Sequence, residues 1–139
     1  MEYVISFCGQ FECDEQQNSV CKTTVNDVYE FFLDKECPLQ FMMDDSGGFA
    51  LTSVYVSEIH ASDIHDFDLK IKNIENWIIK LRDFSKPHDC VLSGSVDCII
   101  PSELNHVYNY IRIEAKDNRV CVYKCKREYV FLKEESSIY

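Results

Sequence analysis

The sequence predicts an α+β fold: a mainly antiparallel sheet of five to six strands with two helices packed on one face. Three observations predict it. Short runs of β-branched and aromatic residues recur along the chain, separated by turn residues. Two segments carry apolar residues at helical spacing, each closed by a proline. Near the C-terminus, Asp117-Asn118 lies between two alternating runs, the pattern of a two-residue hairpin. The expected order is β-α-β-β-α-β-β-β.

The 139 residues suit one domain, 1–139, and with only 4 Gly and 3 Pro no linker or repeat divides them. "EYVISFC" (2–8) reads as the opening strand and the polar residues 12–19 as a loop. "TTVNDVYEFFLDKECP" reads as a helix. Thr24 is its N-cap, Asp27 stands in the capping-box position, and Val25, Val28, Tyr29 and Phe32 form the buried stripe. Pro38 ends it at Cys37.

"PLQFMMDDSGGFALTSVYVSEI" reads as a hairpin turning at Gly47-Gly48. Its second strand changes apolar parity between Leu51 and Val54, which either a bulge near Ser53 or a strand covered on both faces explains. In the second helix, capped by Asp68 and stopped at Pro87, Ile71, Ile74, Trp77, Ile78, Leu81 and Phe84 share one stripe. "CVLSGSVDCII" (90–100) is a strand with a bend available at Gly94. The closing hairpin pairs Lys116 with Arg119, which sets Ala115 by Val120 and Ile113 by Val122 on the core face. Tyr110 by Cys125, Arg112 by Tyr123 and Glu114 by Cys121 then fall on the other face. The expected core is Phe32, Ile74, Trp77, Ile78, Ile111 and Val122.

Charge is the strongest global signal, with a net −10 and a pI near 4.7. Residues 1–68 carry 14 Asp/Glu against Lys22 and Lys35, while residues 69–139 carry 12 Lys/Arg against 10 Asp/Glu. This balance opposes nucleic acid or an anionic membrane as partner and favours a cationic protein, or serves solubility alone. No apolar run reaches the length of about 18 residues that a membrane span needs, and the N-terminus has no basic start, so a cytoplasmic location is expected. The 8 cysteines are accordingly read as reduced and mostly buried.

"EIHASDIHDFDLK" (58–70) concentrates two histidines and four acids. The spacing of five residues between His60 and His65 misses the i, i+4 geometry of a helical zinc pair, and Asp66 and Asp68 lack the pattern of a calcium loop. No nucleophile elbow, cysteine-nucleophile signature or phosphate loop is present. Neither metal, cofactor nor catalytic residue is expected. The same acids suit a binding surface: Asp44, Asp45, Glu58, Asp63 and Asp66 for steering, with Phe49, Tyr55, Tyr108 and Tyr110 as anchors.

A small, strongly acidic α+β chain without a catalytic motif, carrying "FMMDDSGGFALTSV" as a strand–turn–strand segment, resembles the bacterial immunity proteins. These are carried with contact-dependent and other polymorphic toxins. The resemblance implies a tight complex with a cognate basic toxin, in many cases a nuclease, that occludes its active site. The alternatives are an adaptor domain with another partner and, third, a small cysteine- or metal-dependent enzyme.

Overall fold

The computed structural model describes residues 2–15, 25–33, 36–43, 51–88 and 90–126. Along the chain run β1 (Tyr3–Ser6), β2 (Cys8–Glu15), α1 (Val25–Phe31), β3 (Gln40–Met43), β4 (Leu51–Tyr55), β5 (Glu58–Ala61), α2 (Ile64–Ser85), β6 (Cys90–Ile99), β7 (Tyr110–Lys116) and β8 (Arg119–Cys125). The fold is α+β, with a six-stranded antiparallel sheet ordered β3-β4-β2-β6-β7-β8 and a two-stranded sheet β1-β5.

The small sheet continues one ribbon of the large one. Ser6 pairs with Glu58 on one side of Phe7, and Phe11 pairs with Val54 on the other. Between them the register slips by one residue, and the Phe7 N–H donates to the Ser57 carbonyl at 3.1 Å. The ribbon bends there, as a bulged strand does, and Phe7 and Val56 are both buried at the bend. The single opening strand expected over 2–8 is therefore two strands. The loop expected from residue 12 is strand as far as Glu15, because pairing to β6 outweighs the polar composition of these residues. β5 is a further strand that the order above lacks.

A second bulge lies where the parity change places it: Met42 pairs with Ser53 but Met43 with Leu51, leaving Thr52 as the extra residue. In the β6–β7–β8 meander every expected partner is observed, including Ile113↔Val122 and Lys116↔Arg119. The turn residues Asp117 and Asn118 have φ of 52° and 62°, as a type I′ turn requires. Gly94 also has positive φ, 112°, where β6 bends against β2.

α2 buries Phe67, Ile71, Ile74, Trp77, Ile78 and Leu81 against the sheet, each worth about 1.5–3 kcal/mol relative to exposure. They meet Ile5 and Ile59 of the small sheet and Val96, Cys98, Ile111 and Ile113 of the large one in a single core. Phe32 and Val122 pack against this core partly buried. α1 joins through aromatic contacts: Phe31 meets Trp77 edge-on at 5.7 Å and Phe84 at 4.7 Å, while Phe32 stacks on Phe41 at 4.3 Å. Phe31 thus takes the place expected for Tyr29, which is exposed. α1 ends at Phe31, earlier than the expected Cys37, where Phe32 turns aside onto β3. Its expected cap, Thr24, lies outside the described residues.

Candidate functional site

The site is built at the corner where β5 enters α2. Alternation along β5 turns Ile59 and Ala61 into the core and leaves Glu58 and His60 outside. The exposed His60 ring lies between two carboxylates, Glu58 at 3.2 Å and Glu2 at 3.4 Å.

Two residues on, the chain enters α2 through Asp63, whose carboxylate accepts from the Asp66 N–H at 2.8 Å. Asp66 reaches back to accept from the Ser62 N–H at 2.9 Å and the Ser62 hydroxyl at 3.3 Å. This is a reciprocal cap. The Ser62 bond, assisted by Lys70 at 3.4 Å, holds the Asp66 carboxyl below its ordinary value of 3.8. Lys70 also donates to the His60 carbonyl, tying β5 to the helix. The expected cap at Asp68 is thereby corrected. An N-cap must precede the first helical residue, and Asp63-x-x-Asp66 is the spacing that identifies it.

Asp68 points instead to the β6–β7 connection, where His106 Nε2 lies 2.9 Å from its Oδ1. His106 Nδ1 accepts the Tyr108 N–H at 3.1 Å, which assigns the ring proton to Nε2. The ring packs edge-on against Phe67 at 5.8 Å, and its side chain is 8% exposed. An Asp–His pair is a catalytic arrangement when the second nitrogen faces substrate. Here that nitrogen is engaged by a backbone amide inside the loop, so this pair fastens the loop to α2 and offers no base.

Of the residues expected to bind a partner, Asp63 and Asp66 meet at the start of α2, Glu58 pairs with His60 on β5, and Tyr108 lies against His106, which binds Asp68 of α2. Tyr55 is half-buried on β4, next to Gln40 of β3. Tyr110 is not an anchor: it is 7% exposed, and its hydroxyl donates to Asp97 at 2.7 Å. Its face of the sheet turns away from α2, but the ring is covered and the hydroxyl consumed. Asp44, Asp45 and Phe49 lie outside the described residues. His106 and Asp68 are members of this corner that sequence reasoning missed, because nothing local links residues 38 apart.

Cys13, Cys90 and Cys98 are buried, while Cys8, Cys121 and Cys125 are exposed on the sheet face opposite α2. Burial pushes the Cys98 thiol up to about 12, with Asp97 and Cys8 adding to the shift. Among the described residues no three His, Cys, Asp or Glu side chains converge as a metal site, and no helix is long and apolar enough to cross a membrane.

Electrostatically the corner belongs to a larger surface. The described residues of β1 to β5, α1 and the first turn of α2 contain no Lys or Arg; Lys22 and Lys35 lie outside them. Exposed Glu12, Glu30 and Glu58 stand on these elements, and exposed Glu2, Glu36 and Asp63 on the segments that flank them. Arg112, Lys116, Arg119 and Lys124 stand on β7 and β8, at the far end of the sheet order from β3 and β4. Among the described residues, then, β1 to β5 and α1 hold no Lys or Arg, α2 and β7 carry both signs, and β8 carries Arg119 and Lys124. Comparison with family models, with curated proteins and with solved structures finds no match to this chain.

Proposed function

We propose that the chain is an inhibitor of the immunity type, which binds a cognate basic toxin through its acidic side and occludes the toxin's active site. A nuclease is the toxin class that best fits, since a groove shaped for phosphates is complementary to carboxylates. The observation that supports the reading is the distribution of charge: the described residues of β1 to β5 and α1 include acids but no Lys or Arg, while the bases stand on α2, β7 and β8. Such a distribution steers a cationic partner to one side of the molecule and accelerates encounter. Carboxylates on capped and paired elements are also held in place before binding, so little ordering is lost on association.

The test is capture by the tagged full chain from an extract of its host, followed by assay of whatever is captured. The expected result is a stoichiometric complex with a basic protein whose toxic or nuclease activity falls as the chain is added. An acidic or neutral partner, or a basic one whose activity is untouched, contradicts inhibition; the latter outcome moves the chain to the adaptor reading.

A further inference from the structure

Charge supplies encounter, but affinity requires apolar side chains that become buried on binding. The loop between β6 and β7 presents two that the fold leaves outside: Val107 is 75% exposed and Tyr108 38%. On α2, one turn before Asp68 and on the same side of the helix, Ile64 is 36% exposed.

The loop that carries Val107 and Tyr108 is held, although these side chains are not buried. The Asp68–His106 bond fixes the loop to the helix, the Tyr108 N–H is bonded to the same imidazole, and the Tyr108 ring lies 5.7 Å from it. Asn105, at φ 59°, sets the turn that brings His106 inward and Val107 outward. Immobilised apolar side chains in water are anchors whose ordering cost has been met by the fold. The nearby exposed acids on the loop and the helix start are Glu103, Asp63 and Asp68, while exposed Lys126 follows Cys125, whose carbonyl accepts from the Asn109 N–H at 3.2 Å. Lys72, paired with Glu75 at 3.1 Å, and Lys124 lie on the other side of Asp68, beside Ile71 and Val122, where the acid surface ends.

We infer that Ile64, Val107 and Tyr108 form the apolar anchor of an interface for a basic amphipathic protein segment, one that offers aliphatic or aromatic side chains among Lys and Arg. The inference rests on the acidic-side reading above and adds the position and chemistry of the contact. The acid rim selects the cationic residues of the segment, and the anchor takes its apolar ones.

The experiment uses the full chain and two fluorescent probes of equal charge, an amphipathic Leu/Lys peptide and an oligolysine, with dissociation constants read by anisotropy. The Leu/Lys peptide is expected to bind more tightly than oligolysine. In the Val107→Ser/Tyr108→Ser variant its affinity falls about tenfold, while oligolysine binding is unchanged. Amide exchange in α2 confirms that the variant is folded. Equal binding of the two peptides, an undiminished affinity of the variant, or no binding of either probe overturns the anchor. The acid surface fails separately: in that case Leu/Lys binding is insensitive to salt and to Glu58→Lys while still depending on Val107 and Tyr108.

Discussion

Asp68 and His106, 38 residues apart, meet at 2.9 Å and join the start of α2 to the crossover between β6 and β7. The histidine's other nitrogen accepts from the Tyr108 amide. Replacing it with alanine leaves that N–H and the Asp68 carboxylate without these partners. We expect His106→Ala to lower stability by about 1 kcal/mol and to speed hydrogen exchange at the Tyr108 amide, with the α2 amides unchanged. Unaltered exchange at Tyr108 would show that the imidazole does not fasten the loop.

The reciprocal cap at Ser62, Asp63 and Asp66 makes two predictions. Asp63→Ala should cost about 1 kcal/mol in denaturant unfolding, and Asp63→Asn distinctly less, since Asn also caps. Asp66 gives the acid side of the pH profile. Its folded value lies below 3.8, so its contribution is present in full above that value. The contribution disappears as pH falls through the folded value, because only the unfolded state gains the proton first. An Asp66→Asn variant should therefore show a flatter acid limb than the unmodified chain. Superimposable acid limbs would contradict this.

Gly94 combines positive φ with a close backbone neighbour: an added Cβ would lie 2.5 Å from the Gln10 carbonyl oxygen. Both the left-handed conformation and the contact oppose a side chain. Gly94→Ala is expected to lose at least about 1 kcal/mol and to loosen the β2–β6 pairing, visible as faster exchange along β2. An unchanged midpoint would mean that β6 can straighten at this residue without cost.

The sequence was most legible where local chemistry determines local structure. The Asp117-Asn118 turn fixes its own register, so the β7–β8 partners follow from it. The α2 stripe follows from its 3.6-residue period. The parity change around Ser53 marked a bulge for the same kind of reason. Legibility failed where pairing is decided by distant strands. Glu12 to Glu15 look like a polar loop until β6 lies beside them, and β5 is too short to declare itself without β1. In the site, Glu58 and Asp63 were readable from acid density. The covering of Tyr110 involves Asp97 of the neighbouring strand, and the role of Asp68 depends on a histidine far along the chain.

The thiols divide by environment. Cys98, raised to about 12 by burial first and then by Asp97 and Cys8, should resist alkylation of the native protein at neutral pH. Cys8, Cys121 and Cys125 should react promptly. The raised value also sets an alkaline limit. An unfolded Cys98 loses its proton near its ordinary value of 9.0, whereas the folded one keeps it to about 12. Its share of stability is complete below the first value and declines as pH rises toward the second. Rapid modification of Cys98 in the folded protein would contradict its burial.

The proposed role of the acids is tested most directly by the association rate of the full chain with the basic protein that the capture experiment is expected to yield, measured by stopped flow across ionic strength. The account predicts a rate that falls at least about tenfold from low to high salt. A Glu30→Lys/Glu58→Lys variant should have a reduced low-salt rate and a nearly unchanged dissociation rate. An association rate that is flat with salt and indifferent to both reversals would contradict it.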